Sequence, residues 1–171
     1  TKLMNYFVDN CLLQMMAFHS YDNLKIVVFT NKNNASRWNY LKNSPYCFSN
    51  EKDIRFFAVN TEEMQDVSLY LEQVFNGRKA INNSDKEKNA YVSFNSYYLI
   101  LIDDIDMARK IDIVENVLES KVNYGFSILI LEDKLSKLPS QCNNFISIGD
   151  KTSGILKNEG DVNEQVYFVD E

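Results

Sequence analysis

Proline, glycine and histidine are scarce in this chain of 171 residues, which has two prolines, five glycines and one histidine. So little proline and glycine excludes collagen-like sequences and Pro-rich linkers. The three cysteines, Cys11, Cys47 and Cys142, are odd in number and far apart, which indicates reduced thiols and not a disulfide framework. Because His19 is the only imidazole and the cysteines lack metal-ligand spacing, zinc sites and Ser-His-Asp chemistry are disfavoured. We predict no bound metal and no cofactor.

Long hydrophobic runs and a positive net charge are also missing. No stretch approaches the roughly 20 apolar residues of a membrane span, and the first residues do not resemble a signal peptide. The formal net charge is −6, so the domain repels phosphate backbones and direct nucleic-acid binding is not expected. A hydrophobic fraction of 45% and this length predict a single globular domain over residues 1–171.

Hydrophobic periodicity alternates between strand and helix patterns along most of the chain. The first helix pattern begins without a start signal, which indicates a piece of a longer protein. Strands are predicted at 25–30, 54–59, 97–102, 126–131 and 145–148, with short candidates at 154–157 and 165–169; helices are predicted at 2–18, around 35–41, after Asn60, around 111–118 and near Leu135. Alternating strands and helices predict an α/β fold with a mainly parallel sheet between helices.

Two boundary signals surround the helix after Asn60. Asn60 with Glu63 three residues later is typical of a capping box. Gly77 is expected to end this helix, and residues 78–95 are expected to form a long exposed loop.

The strongest chemical signal is Asp103-Asp104 at the end of the strand 97–102. Nucleotide-hydrolysing motors place an acidic pair there, where one carboxylate holds Mg²⁺ through water and the next acid polarises the attacking water. A simpler interpretation, which we weight more heavily on the residues alone, is that an aspartate here caps the next helix.

The phosphate-binding partner of such a pair is missing. The glycine pair Gly149 and Gly154 has the spacing of a phosphate loop, but Ile155-Leu156 stands in place of the lysine and the hydroxyl residue. We therefore interpret this spacing as chance.

Other candidate residues have structural interpretations. Glu132-Asp133 ends another strand and could line the same crevice as the Asp103 pair, although helix capping explains it equally well. His19 is expected to meet free carbonyls at a helix end. We expect the charged side chains of the predicted loop to be solvated, namely Arg78-Lys79 and Lys86-Glu87-Lys88. We expect the aromatic side chains of the predicted strands to lie in the core, namely Phe56, Phe57, Tyr97 and Tyr98.

Several segments together resemble FtsK/SpoIIIE-type ATPases. The stretch His19 to Val27 resembles the family's "H-S-P-x-x-L-K" turn and second strand, and Trp38, Leu41 and Pro45-Tyr46 resemble its "W…L…P-H" segment. The remaining similar segments, in family order, are Phe56–Met64, Leu69–Glu72, Tyr98–Asp104, Gly125–Leu131 and Leu138–Cys142. Within that superfamily the pattern is most similar to the ATPases of type VII secretion in Gram-positive bacteria (the EssC/YukB/EccC family), over nearly the whole chain.

The departures from the family pattern concern the catalytic residues. A phosphate loop would lie before Thr1, Glu132-Asp133-Lys134 replaces the Thr-Gln sensor, and Asp104 replaces the usual glutamate and is one methylene shorter. No arginine finger can be named. The resemblance therefore implies a RecA-like, P-loop NTPase-like three-layer domain with a degenerate nucleotide site, in which Asp103 and Asp104 are vestigial Walker-B-like residues and none is catalytic.

The resemblance also implies a setting. The domain is expected to be a cytoplasmic part of a membrane-anchored, ATP-binding secretion motor, where it couples membrane segments to downstream ATPase modules. Its expected partners are those modules, neighbouring subunits of a ring and other secretion-complex membrane proteins. Two alternatives stay open: an active ATPase whose phosphate loop lies upstream, and a flavodoxin-like module with a ligand beside Thr30 and Asn60 at the carboxyl edge of the sheet.

Overall fold

The computed structural model describes residues 2–84, 94–142, 144–148, 153–158 and 166–169. The chain divides into two compact units, Ser20–Leu138 and the combination of Thr1–His19 with Pro139–Glu171. The elements run in the order α1 (Lys2–Phe18), β1 (Leu24–Phe29), α2 (Asn39–Lys42), β2 (Phe57–Ala58), α3 (Thr61–Ser84), β3 (Tyr97–Ile102), α4 (Ile105–Ala108), α5 (Asp112–Glu119), β4 (Phe126–Ile130), β5 (Asn144–Ile148), β6 (Ser153–Asn158) and β7 (Val166–Val169), with short 3-10 helices at Ala35–Trp38, Pro45–Cys47 and Leu135–Lys137.

The larger unit is built on a four-stranded parallel sheet with the order β2-β1-β3-β4. All six residues of β1 are buried, as expected for a central parallel strand covered on both faces. The sheet is flanked by helices, so the predicted α/β fold class with a mainly parallel sheet is confirmed, and the architecture is consistent with a RecA-like three-layer fold.

The two faces of this sheet are covered by different parts of the chain. Right-handed crossovers place α3 and α5 on one face and the connection from β1 to β2 on the other, because the chain moves in opposite directions across the sheet. Side-chain contacts agree: Phe126 packs edge-on against Phe75 of α3, whereas Lys42 of the β1–β2 connection lies over the Phe57 ring, 5.2 Å from its centroid.

The capping box after β2 is confirmed. The Glu63 N–H donates to Asn60 Oδ1 at 2.9 Å, and Glu63 Oε2 accepts the Val59 N–H at 2.9 Å. These bonds satisfy the Glu63 N–H in the first turn of α3 and the N–H of Val59, the residue before the cap.

The predicted end of this helix is wrong. α3 continues through Gly77 to Ser84, so residues 78–84 are helical and not part of a loop. Gly77 does not adopt a positive φ, so nothing in its backbone forces the helix to stop. The rest of the predicted loop falls largely on 85–93, outside the described residues, as does Lys86-Glu87-Lys88.

Two strand predictions need correction. The predicted strand 54–59 is reduced to Phe57–Ala58, because the residues before it pair within their own connection, where Phe48 forms an antiparallel bridge with Arg55. The strand Asn144–Ile148 is present but pairs antiparallel with β6, so it belongs to the separate three-stranded sheet β5-β6-β7.

The smaller unit contains α1 and that antiparallel sheet. In α1, Val8 and Leu12 are buried, which agrees with the predicted apolar face, while Tyr6, Leu13 and Phe18 are exposed. None of the described helices has the length and apolarity needed to cross a membrane.

Candidate functional site at the carboxyl ends of the strands

The candidate site lies where β1 and β3 end side by side. The chain leaves β1 toward β2 and later crosses back over β1 to form β3, so the crossover direction reverses between these two neighbours. In open α/β sheets ligands bind in the crevice beyond the carboxyl ends of the strands at such a reversal. Thr30 and Asn31 follow β1 there, and Asp103 and Asp104 follow β3.

Asp103 is held by a tryptophan from the β1–β2 connection. The Trp38 indole donates from Nε1 to Asp103 Oδ2 at 2.5 Å, and the Trp38 side chain is fully buried. The Arg37 guanidinium lies over the indole ring, 4.4 Å from its centroid. The other carboxylate oxygen, Oδ1, is buried and has no hydrogen-bond partner in the part of the chain that is described.

Asp104 is held on both oxygens. Its Oδ1 accepts the Met107 N–H at 3.1 Å and so caps α4, and its Oδ2 accepts from Asn31 Nδ2 at 2.8 Å. The Asn31 amide is fixed in turn, because its Oδ1 accepts the N–H groups of Asn33 and Asn34 at 2.9 and 3.0 Å. The capping interpretation of this aspartate is thus what the geometry shows, with an added bond across the crevice.

These contacts change what the acidic pair can do chemically. A carboxylate that holds Mg²⁺ through water needs oxygens open to the ligand. Three of the four oxygens here accept hydrogen bonds from the protein, and the fourth is buried. Within the described ranges no group of three or more His, Cys, Asp or Glu residues could hold a metal ion.

Of the two acidic residues after β4, Glu132 turns its side chain toward its own loop. Glu132 Oε1 accepts the N–H groups of Asp133 and Lys134 at 3.0 and 3.2 Å. The loop is tied to α4 by Lys137, whose Nζ donates to Asp106 Oδ2 at 2.6 Å. That hydrogen bond lowers the pKa of Asp106 and raises the pKa of Lys137.

The remaining predicted positions belong to other elements or to residues that the structure does not describe. Gly154 is in β6, which is antiparallel, and Gly149 falls in a range that is not described, so the interpretation of their spacing as chance stays a prediction. His19 directly follows α1, as expected for a residue at a helix end. Phe56, Phe57 and Tyr98 are buried as predicted, but Tyr97 is 46% exposed, because it begins β3 at its amino end.

Arg78 was predicted as a solvated loop charge, and this is wrong. It projects from α3 among three aromatic rings, with its guanidinium 4.6 Å from the Phe94 centroid, 5.4 Å from that of Tyr98 and 5.5 Å from that of Phe126. It donates to the carbonyls of Tyr124 at 2.8 Å and Ser96 at 2.6 Å. Burial lowers the pKa of this guanidinium, although arginine stays charged in proteins.

Sequence reasoning missed Trp38 and Asn31 as partners of the acidic pair. Their separation from Asp103 and Asp104 is 65 and 73 residues, so only the pairing of β1 with β3 brings them together. One signal was available: Trp38 is the only tryptophan, and a buried indole N–H usually needs an acceptor.

Comparisons with known proteins give one relationship. Over 149 residues the chain is 22% identical to the type VII secretion system protein EssC of Staphylococcus aureus strains NCTC 8325, COL and MRSA252. The match covers 87% of this chain and 10% of the relative, so the chain spans about a tenth of the length of the curated relatives it matches. No family profile matches the chain, and no solved structure matches it at a significant level. This distant similarity supports a relationship to a component of type VII secretion.

Proposed function

We propose that this chain is a non-catalytic ATPase-like domain of a type VII secretion motor, with a structural or regulatory role in protein export. The observation that carries the proposal is the set of hydrogen bonds that Asp103 and Asp104 accept from the protein itself. The Trp38 indole donates a hydrogen bond to Asp103. The Asn31 side chain and the Met107 N–H of α4 donate hydrogen bonds to Asp104. A crevice filled by the protein's own donors favours a retained scaffold over a working nucleotide site.

The order of elements supports the motor part of the proposal. The parallel sheet, the acidic pair at the end of β3 and the similarity to EssC agree with an ATPase-like origin. The replacements at Asp104 and at Glu132-Asp133-Lys134 support the loss of catalysis, because the side chains that polarise the attacking water and sense the γ-phosphate are changed.

The proposed setting follows from the same similarity. We propose that residues 1–171 form one ATPase-like domain of a larger, membrane-anchored protein and face the cytoplasm. There the domain couples membrane segments to downstream ATPase modules and packs against neighbouring subunits of a ring and other secretion-complex membrane proteins.

The only tryptophan in the chain gives a direct test. Trp38 touches Asp103, so its fluorescence reports on any ligand that reaches the acidic pair. Titration with MgCl₂ and with Mg-ATP should leave the emission unchanged, and the chain should show no ATP turnover. Lys79→Ala, an exposed change on α3 next to Arg78 at the amino end of the sheet, serves as the matched control.

A saturable change in emission, together with Mg²⁺-dependent hydrolysis that Asp103→Ala abolishes, would instead establish the second candidate, an active ATPase module. The same titration on a longer polypeptide that includes upstream residues tests whether a phosphate loop there completes the site. Tight Mg-ATP binding by the longer protein, lost in Asp103→Ala, would favour the active module.

The flavodoxin-like alternative has one observation in its favour, namely the strand order 2-1-3-4, which matches the first four strands of that fold. However, the two residues expected beside its ligand are buried or already hydrogen-bonded. Thr30 is fully buried, and Asn60 Oδ1 accepts the Glu63 N–H. Quenching of Trp38 by flavin mononucleotide without Mg²⁺ dependence would support this alternative over the motor domain.

A further inference from the structure

The short helix α4 is held at both ends by loops that follow other strands. It has only four residues, and helices of this length are not stable by themselves in water. Packing supplies part of the stability that α4 needs, because Ile105 and Ala108 are buried. Polar contacts with the loops after β1 and β4 add to it, so the state of this helix depends on both loops.

The loop after β1 holds the amino end of α4 through Asp104. Asp104 Oδ1 accepts the Met107 N–H of the helix, while Asp104 Oδ2 accepts from Asn31 Nδ2. The helix cap and the bond to the β1 loop are therefore made by the same carboxylate. Loss of the Asn31 bond frees this carboxylate to rotate away from the Met107 N–H, which weakens the cap.

The loop after β4 holds the other end of α4 through one residue, Lys137. Its Nζ donates to Asp106 Oδ2 at 2.6 Å, and its carbonyl accepts from Arg109 Nη2 at 3.0 Å. Arg109 Nη2 also lies 3.7 Å from Asp106 Oδ1, three residues earlier on the same turn. These side chains are about half exposed, so each contact alone is weak. All three depend on the position of one helical turn, so a movement of that turn breaks them together.

The contacts form an unbroken path along the carboxyl edge of the sheet. The path runs from Asn31 through Asp104 and α4 to Lys137. A path in space is not yet coupling, because coupling needs an element with two states that both ends stabilise unequally. A helix of one turn that two loops hold in place is such an element, since local opening in proteins involves small cooperative units with few buried contacts.

We propose that α4 and the loops after β1 and β4 open and close as one unit, so that a change in the loop after β4 reaches the acidic pair. In the closed state Asn31 and Lys137 both hold α4. In the open state the turn unwinds and both sets of bonds are lost. Asp103 directly precedes Asp104, so opening also disturbs its bond to Trp38. The proposal concerns these contacts alone and does not depend on the proposed function.

Amide hydrogen exchange of the whole chain, followed residue by residue by NMR, tests the proposal. Lys137→Ala should raise the exchange rates of the Met107 and Arg109 amides by the same factor, about 2- to 5-fold, because one opening step exposes both. The Trp38 indole N–H, the only one in the chain, should shift in the same spectra. Lys134→Ala removes an equal charge from the same loop and should leave these rates and this signal unchanged.

The reverse direction distinguishes one unit from two separate local effects. Asn31→Ala should raise the exchange rates of the Lys137 and Leu138 amides about tenfold, by the same factor as at Met107, because coupling between two sites is reciprocal and the lost bond has a charged acceptor. Asn33→Ala, an exposed change in the same loop, should leave these rates unchanged. Faster exchange confined to the loop that carries the substitution, or equal effects of either control variant, overturns the proposal.

Discussion

The two ends of the parallel sheet are closed by opposite means. At the amino end a cation, Arg78, is enclosed by aromatic rings and bonded to the carbonyls of Ser96 and Tyr124. At the carboxyl end the anions Asp103 and Asp104 are bonded to Trp38 and Asn31. The amino end is the expected place for packing, but the carboxyl end is where this architecture binds ligands. Side chains of the protein itself therefore make the hydrogen bonds at both ends, and at the carboxyl end these bonds are the observation behind the proposed non-catalytic role.

The largest effect should come from the amino end. Arg78→Ala leaves two carbonyls without donors and a void among three rings, so we expect it to lower the free energy of unfolding by about 3–4 kcal/mol. Urea denaturation followed by circular dichroism measures this. Lys79→Ala, the exposed neighbour on the same helix, should stay within about 0.5 kcal/mol. Equal effects of the two variants would contradict the role of Arg78.

The next effect concerns the carboxyl end. Trp38→Phe keeps most of the ring but removes the N–H that Asp103 accepts, and it should cost about 2 kcal/mol, since an ionised acceptor loses its donor in a partly buried place. A double-mutant cycle with Asp103→Ala isolates the bond. We expect a coupling of at least about 1 kcal/mol. Additive effects would mean that the aspartate is not held as described, and the comparison of the two ends would fail.

A buried thiol near the amino end of β2 gives a pH effect. Cys47 donates to the Phe56 carbonyl at 3.1 Å, and burial raises its pKa to about 12. Above about pH 8.5 the unfolded chain releases this proton while the folded protein keeps it, so the free energy of unfolding falls as pH rises.

We expect Cys47 to account for a loss of about 1 kcal/mol between pH 8.5 and 9.5, measured by urea denaturation at each pH. Cys47→Ala should flatten this part of the pH profile, whereas Cys142→Ala, which removes a less buried thiol, should flatten it less. A profile that Cys47→Ala leaves unchanged would show that the thiol is accessible to solvent.

The smallest effect is a stabilisation. Gly77 lies inside α3, and a Cβ added there meets nothing within 4 Å, so Gly77→Ala should raise the free energy of unfolding by about 0.5–1 kcal/mol. Gly125 is the contrasting glycine. It has a φ of +81°, and an added Cβ would lie 2.5 Å from Arg78 Nη1. Gly125→Ala should therefore destabilise the protein in the same denaturation experiment, and stabilisation by it would argue against the closed amino end.

Much of the fold could be predicted because local patterns were strong. The apolar runs of β1, β3 and β4 and the Asn60–Glu63 capping box depend on neighbours in the chain, and they were found within one or two residues. The prediction that α3 ends at Gly77 was wrong, because glycine ends a helix only where the chain turns. Here α3 continues past Gly77, and Arg78 bonds to the residues before the strands. In the candidate site, the position of Asp103 and Asp104 at a strand end was predictable. Their hydrogen bonds to Trp38 and Asn31 were not predictable.

The sequence by itself determined the alternation of strands and helices, the α/β class and the acidic pair after β3, since these follow from residue types at short spacing. Only the tertiary structure decided the strand order, the burial of Arg78 among aromatic rings and the hydrogen bonds that Asp103 and Asp104 accept. The physical reason is distance along the chain: Trp38 reaches Asp103 across 65 residues only when β1 and β3 lie side by side. No local pattern carries that information, because a hydrogen bond between distant residues depends on the packing of everything between them.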